Sequence, residues 1–162
     1  MTKLLTVLVA VIMAFAPFVA VADQSGSEPV LFIQKDASSE PVAVTLAELQ
    51  SLTQTTFKTS TIWTSGVSEF SGVALSRLLS SFGIEQGFIR ARAANDYAVD
   101  IPIASLSQTA PIVAFRMDGK TIPRRGKGPL WIVFPYDMDA AFRTETVYSQ
   151  SIWQLKSLDV VD

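Results

Sequence analysis

The chain has 162 residues, and its 13 Lys and Arg against 15 Asp and Glu give a formal net charge of −2. This length suits one domain, and the hydrophobic fraction of 49% is enough to build a core, although an apolar N-terminus inflates it. An intrinsically disordered chain is therefore excluded, and the acidic balance disfavours a nucleic-acid partner.

Two residue types are missing from the sequence, which contains no His and no Cys. Ser-His-Asp and Cys-His catalytic sites, disulfide bonds and iron–sulfur clusters are therefore excluded. The usual zinc, copper and non-haem iron sites also lose their best ligands. The sequence has no D-x-D-x-D-G loop for calcium either.

The N-terminus has the pattern of a secretory signal peptide. Lys3 is followed by an uncharged apolar run that ends in Ala20-Val21-Ala22, just before Asp23. We expect cleavage after Ala22, so that residues 1–22 are a signal peptide and residues 23–162 form one periplasmic domain. The alternative is an uncleaved anchor, because a run of this length can span a bilayer.

Short strands and short helices are predicted in the first half of the mature chain. Strand composition is found over 30–34, 41–44 and 53–61. Thr45 and Glu48 have the spacing of a capping box, which predicts a brief helix. A second helix is predicted where apolar residues recur at helical spacing before a glycine, at Leu75, Leu78, Leu79, Phe82 and Gly83.

The second half is predicted to be mostly β. Strands are expected over 88–93, 97–101, 111–117, 120–122, 130–134 and 153–161. Asp118-Gly119 is a strong hairpin signal, and the segment 130–134 is apolar on both faces, which predicts a central buried strand. The fold class is therefore expected to be α+β, a β-rich mixed-sheet domain with a few short helices.

A basic loop between two predicted strands is the first candidate site. Residues 123–129 carry Arg124, Arg125 and Lys127 together with two glycines. Cations and backbone N–H groups can converge there on an anion or an electron-rich ring. The alternative is a solvated loop, and Lys127 is not followed by the Ser or Thr of a nucleotide-binding P-loop.

The three tryptophans differ in their surroundings. Trp63 lies among Thr, Ser and Gly residues, so it is either a stacking platform for a flat heterocycle or a ring packed over a sheet edge. Trp131 lies between Leu130 and Ile132, which predicts a core residue. Trp153 has the same two alternatives as Trp63, with the core favoured.

A short polar segment follows the strand at 88–93. The Asn95 amide or the Asp96 carboxylate can pair with the amino-pyrimidine edge of a purine or pterin. The alternative, which the spacing favours, is an Asx turn. Tyr136 and Asp137, directly after the buried strand, form another loop that can hold a site, whereas Asp139 and Glu145 show no sign of a catalytic carboxylate pair.

Five segments recur in this order in a known family, at 70–75, 94–99, 117–119, 126–133 and 152–155. From about Val30 to Val161 the chain resembles the oxidoreductase molybdopterin-binding domain family, and in particular its small exported single-domain members. The resemblance implies the fold of the sulfite oxidase catalytic core. It also implies that the family's molybdenum-binding Cys would fall near Ser60, where this chain has no thiolate.

The same resemblance implies a non-catalytic pterin-binding protein that relays occupancy to a membrane partner. The implied ligand is a reduced pterin such as a tetrahydropterin, without molybdenum, and the implied partner is the periplasmic domain of a membrane diguanylate cyclase or phosphodiesterase. The residues expected to bind the ligand are Trp63, Asn95, Asp96, Arg125, Lys127 and Trp153. Two alternatives are a molybdenum-cofactor oxidoreductase with an oxygen ligand and an interaction domain with an empty pocket.

Overall fold

The computed structural model describes residues 28–161. The predicted signal peptide over residues 1–22 and its cleavage after Ala22 lie outside the described residues. In chain order the elements are β1 Pro29–Gln34, β2 Val42–Thr45, α1 Leu46–Ser51, β3 Gln54–Ser60, β4 Val67–Ala74, α2 Leu75–Ser81, β5 Phe88–Ala93, β6 Ala98–Pro102, β7 Ile112–Met117, β8 Lys120–Thr121, β9 Trp131–Val133, α3 Glu145–Gln150 and β10 Leu155–Val161. Short 3₁₀ turns follow β6, at Ile103–Ser105, and precede α3, at Ala140–Phe142.

The first sheet is mixed and has five strands in the order β2-β1-β10-β5-β6. Strand β1 runs parallel to β10, and the other pairs are antiparallel. Side chains alternate across it, so that Leu31 and Ile33 of β1 and Ile89 and Ala91 of β5 are fully buried. One face of this sheet therefore supplies half of the core.

The second sheet is antiparallel, with the order β3-β4-β7-β8, and β9 pairs with the first residues of β7. Gly72 lies in the middle of β4, where a Cβ atom would collide with the Val113 carbonyl of β7. Glycine is therefore required there for the two backbones to pack. Phe70, Trp131 and Phe115 fill the core behind this sheet.

The two sheets meet where β9 approaches the start of β10. Trp131 and Trp153 form an isolated antiparallel bridge. On either side of it, Ile132 N–H donates to the Ile152 carbonyl at 2.8 Å, and Leu155 N–H donates to the Leu130 carbonyl at 3.0 Å. Loops from both sheets are brought together at this junction.

The helices are short and lie against the sheets. In α1 the Thr45 hydroxyl accepts from Glu48 N–H at 3.2 Å, and the Glu48 carboxylate accepts from Thr45 N–H at 2.7 Å, so the predicted capping box is confirmed. Helix α2 is also confirmed and buries its three leucines, Leu75, Leu78 and Leu79. Within residues 28–161 no helix is long and apolar enough to cross a membrane.

The expected fold class is confirmed, and several elements match closely. Strand β5 has the predicted bounds, and the hairpin between β7 and β8 turns at Asp118 and Gly119, whose φ angles of 51° and 75° are both left-handed.

Three expectations about elements were wrong or incomplete. Strand β4 was missed because Ser and Gly interrupt its alternation, and α3 was missed because it has six residues and little apolar periodicity. The segment 130–134 is buried as predicted, but β9 is not central. It ends the second sheet, with β7 on one side and the single bridge to Trp153 on the other.

Candidate functional site

Five aromatic rings meet at the junction of the sheets, and we call them the aromatic cluster. Trp63, in the loop between β3 and β4, lies at its centre. Its ring centroid is 6.0 Å from Trp131, 6.2 Å from Tyr136, 5.8 Å from Tyr148 and 5.6 Å from Trp153, with edge-to-face geometry each time. Each such pair contributes about 0.5–1.5 kcal/mol beyond burial. Trp63 is thus held by rings from β9, from α3 and from the loops that follow these two elements.

Hydrogen bonds to Ser151 fix the base of the cluster. Tyr136 Oη donates to Ser151 Oγ at 2.6 Å, and Trp131 Nε1 donates to the Ser151 carbonyl at 3.3 Å. Ser151 Oγ in turn donates to the Val147 carbonyl of α3 at 2.7 Å. Burial raises the pKa of Tyr136 to about 12, so this phenol is neutral at physiological pH.

A cavity of about 250 Å³ opens beside the cluster. Trp63 is half-buried in its wall, and Trp131 is fully buried behind it, which confirms the core prediction for Trp131. Trp153 also lines the cavity but is 38% exposed, so the expectation that favoured the core was wrong: its bridge lies at the outer end of β9. The lining residues are Trp63, Ala93, Asn95, Tyr97, Tyr148, Ser149, Ser151, Ile152 and Trp153.

Lys127 brings a positive charge to the edge of this wall. Its Nζ lies 5.4 Å from the ring centroid of Trp153 and 5.6 Å from that of Trp131, which is cation–π distance. Among the ion pairs formed within residues 28–161, none involves Lys127. The ammonium group is therefore positioned by rings and keeps its capacity to donate to a ligand.

The basic loop is held in place by the residue that follows Trp153. Gln154 Nε2 donates to the carbonyls of Arg124 at 3.1 Å and Gly126 at 2.9 Å, and Gln154 N–H donates to the Lys127 carbonyl at 2.9 Å. At Gly128 an added Cβ atom would collide with the Ile122 carbonyl. The loop is therefore folded tightly against the strand ends, which explains why Lys127 reaches the aromatic cluster.

Asn95 lines the cavity from the turn between β5 and β6. Its Oδ1 accepts from Tyr97 N–H at 3.2 Å, so the Asx turn that the spacing favoured is present. The same side chain also lines the cavity, so pairing with a ligand stays a prediction that the turn does not exclude.

The structure separates the six residues expected at the site. It brings Trp63, Asn95 and Trp153 into the cavity wall and sets Lys127 against Trp153. Arg125 is exposed and does not line the cavity, and Asp96 occupies the left-handed turn position, with φ 65°, outside the wall.

Helix α3 contributes lining residues that the sequence analysis missed. Tyr148 and Ser149 lie on it, and Tyr97 Oη donates to the Ser149 carbonyl at 3.2 Å, which ties the helix to the β5–β6 turn. The signal for this helix was Thr144, whose side chain caps it by accepting from Val147 N–H at 3.3 Å.

Ser60, at the end of β3, is engaged by a carboxylate. Its N–H donates to Asp137 Oδ2 at 2.5 Å and its hydroxyl donates to Asp137 Oδ1 at 2.7 Å, while Asp137 N–H donates to Thr59 Oγ1 at 3.1 Å. The two bonds that the carboxylate accepts from Ser60, led by the one from Ser60 N–H, hold the pKa of Asp137 below its ordinary value. In the part of the chain that the structure describes, no three Asp or Glu side chains group closely enough to hold a metal ion.

Comparisons with known proteins support both a fold and a family. The fold is similar to the crystal structure of the sulfane dehydrogenase SoxCD from Paracoccus pantotrophus, with a TM-score of 0.63 and 19% identity over 85% of this chain. That match covers 39% of the SoxCD chain, so this chain spans about two fifths of its length. No curated protein sequence matches significantly. The family model for the oxidoreductase molybdopterin binding domain matches residues 30–140, and the chain therefore belongs to this family.

Proposed function

We propose that this domain is an exported, non-catalytic pterin-binding protein that relays ligand occupancy to a membrane partner. The observation that carries the proposal is the cavity beside the aromatic cluster, which has aromatic walls, a side-chain amide and an adjacent ammonium group. Family membership supports a pterin-type ligand.

The shape of the cavity favours a small flat ring. Cavities for drug-sized ligands are about 300–1,000 Å³, and this one is about 250 Å³. Trp63 and Trp153 provide aromatic surface for stacking, and Lys127 and Asn95 provide N–H donors for the polar edge of the ring. Covering the exposed part of Trp153 would remove further apolar area from water.

The residues present do not fit a molybdenum centre. The sequence supplies neither the thiolate of Cys nor the imidazole of His, and the Ser60 hydroxyl is already bonded to Asp137. Both Asp137 oxygens are in turn occupied by Ser60. The donor chemistry therefore supports the part of the proposal that assigns no catalysis to this domain.

Transmission to a partner requires that the loaded and empty domains differ at a surface. The cavity wall combines residues of the β3–β4 loop, the β5–β6 turn, α3 and the segment before β10, so a ligand there would contact several elements at once. A partner that binds across this rim would then distinguish the two forms. We propose as partner the periplasmic domain of a membrane diguanylate cyclase or phosphodiesterase, and co-purification with and without pterin tests this assignment.

A titration with tetrahydropterin tests the ligand. Because two tryptophans line the cavity, binding should quench tryptophan emission. It should also raise the melting temperature, with about 2.7 kcal/mol of added stability at a hundredfold excess over Kd. Unchanged emission and an unchanged melting temperature at high pterin concentration would contradict the proposal.

A second candidate function is favoured by the family itself. The family description names oxidoreductases, and the similar structure is that of a dehydrogenase. A domain of that kind would hold stoichiometric molybdenum after purification from its native host and would oxidise or reduce a sulfur substrate. Metal analysis and a sulfite or sulfoxide assay, repeated on Ser60→Ala, separate this candidate from the first.

A further inference from the structure

The side-chain amide of Asn95 has a fixed orientation at the cavity wall. Its Oδ1 accepts from Tyr97 N–H within the Asx turn, at 3.2 Å. Its Nδ2 forms no hydrogen bond with any residue in the described range 28–161. The part of this amide that remains for a ligand is therefore its pair of N–H donors, and the carbonyl oxygen is committed to the turn.

Three of the four hydroxyl groups in the same wall, those of Tyr97, Ser149 and Ser151, donate their protons inside the protein. Tyr97 Oη donates to the Ser149 carbonyl at 3.2 Å, Ser149 Oγ donates to the Thr146 carbonyl at 2.7 Å, and Ser151 Oγ donates to the Val147 carbonyl at 2.7 Å. Toward a ligand these oxygens are neutral acceptors. No Asp or Glu side chain is among the residues that line the cavity in the described part of the chain.

Lys127 brings a positive charge to the edge of a cavity wall whose lining residues, within the described range 28–161, are all uncharged. Lys127 Nζ lies 5.4 Å from the ring centroid of Trp153 and brings further N–H donors to the edge of the wall. Asn95 and Lys127 thus both favour an acceptor on the ligand. Where a ligand places a donor against a donor, both groups lose their bonds to water without replacement, and this costs about 1–3 kcal/mol.

We propose that Asn95 determines specificity at this site by donating to a ring carbonyl, so that the cavity selects a 4-oxo pteridine and rejects the 4-amino analogue. This inference rests on the proposed function and specifies which edge of the pteridine faces Asn95. Asn95 accordingly does not bind the amino-pyrimidine edge of the ring. It could do so only if its amide oxygen were available to accept from the amino group. That edge is left to the neutral hydroxyl oxygens or to solvent.

The test compares two rings that differ at one position. The parent protein is titrated at neutral pH, where both rings are uncharged, with a 2-amino-4-oxo pteridine and with a 2,4-diamino pteridine that carry the same substituent at C6. We expect the 4-oxo ring to bind on the order of tenfold more tightly. Equal affinities would overturn the inference and leave pterin binding intact, whereas no binding of either ring would refute the proposed function itself.

Asn95→Asp provides the matched variant. Aspartate also forms Asx turns, so its second oxygen would replace the N–H donors with an acceptor while the turn is kept. The preference should fall by on the order of tenfold and approach or pass equality. A variant that keeps the parental preference for the 4-oxo ring would contradict the assignment.

Two controls keep the result interpretable. Asp96→Asn changes the neighbouring turn residue, which lies outside the wall and tolerates left-handed φ as Asn, so the ring preference should stay parental. If Asn95→Asp does not fold, Asn95→Ser removes the donors with a second turn-forming residue and should lower the affinity for the 4-oxo ring alone. Equal losses for both rings would count against the inference.

Discussion

Trp63 and Trp131 belong to the same aromatic cluster but differ in burial. Trp131 is fully buried behind the cavity, and Trp63 is half-buried in its wall. The sequence left two alternatives open for Trp63, a stacking platform for a ligand and a ring packed over a sheet edge. Its four ring contacts show that it also contributes to packing.

We therefore expect different effects from truncating these two rings. Trp131→Ala should lower the free energy of unfolding by about 3–5 kcal/mol, the cost of deleting a large buried ring. Trp63→Ala should cost less, about 0.5–3 kcal/mol, and should weaken pterin binding. Denaturant unfolding and pterin titration measure the two effects. Parental affinity in Trp63→Ala would mean that the ligand binds elsewhere.

Lys127 and Arg125 offer a matched comparison within the basic loop. Lys127 reaches the rings of the cavity wall, and Arg125 is exposed and does not line it. Lys127→Ala should weaken pterin binding by on the order of tenfold, the loss of one charge-assisted contact. Arg125→Ala should leave the affinity within about twofold of the parent. Similar losses in both variants, measured by titration, would indicate a general charge effect instead.

Asp137 provides a prediction about pH. Its folded pKa is lowered, chiefly by Ser60 N–H, so its carboxylate contributes stability that is fully present above the ordinary carboxyl pKa of about 4. This contribution is lost as pH falls through the lowered pKa. Asp137→Asn should accordingly be less stable than the parent at neutral pH, and the difference should shrink in acid. Denaturant unfolding across this range measures it, and a difference independent of pH would contradict the account.

At the scale of elements, the basic loop depends on glycine at one of its two glycine positions. An alanine Cβ at Gly128 would collide with the Ile122 carbonyl, whereas at Gly126 its nearest neighbours would be 3.5 Å and 3.6 Å away, on Pro123. Gly128→Ala should therefore destabilise the protein, displace Lys127 from the rings and weaken pterin binding. Gly126→Ala should have none of these effects. Thermal unfolding and titration of the two variants test this. A tolerated Gly128→Ala would show that the loop is less tightly packed than described.

Elements with local signals were predictable from the sequence. The capping box of α1, the leucines of α2 and the Asp118-Gly119 hairpin depend on residues close in the chain, and all three are present. Strand β4 was not predictable in this way. Its Gly72 weakens a strand locally and is required only because β7 packs against it, which is a contact distant in sequence.

Prediction of the candidate site from the sequence has the same limit. Asn95 could be recognised from the sequence as a turn residue and as a candidate ligand contact, because both assignments depend on its own side-chain chemistry. The exposure of Trp153 could not be predicted from the sequence, because it depends on the isolated bridge that Trp153 forms with Trp131 of β9. Tyr148 reaches the cavity only through α3, whose six residues carry little periodicity. Sequence therefore identified ring types and donors, and tertiary packing decided which of them meet.

For the whole molecule, the first prediction concerns export. The small-x-small pattern at Ala20-Val21-Ala22 should be cleaved, so N-terminal sequencing of the protein recovered from the periplasm should begin at Asp23. Recovery of Met1 in the membrane fraction would replace this with an anchored protein. Replacing Ala22 by a bulky residue should block processing and retain the leader.

We propose above all that the domain carries a pterin and not a molybdenum centre. Mass spectrometry of the small molecules released from protein purified from its native host, with metal analysis of the same sample, tests it most directly. We expect a metal-free pterin in an amount comparable to the protein, and an amount of molybdenum well below stoichiometric. Release of molybdopterin with stoichiometric molybdenum, or of no pterin at all, would contradict it.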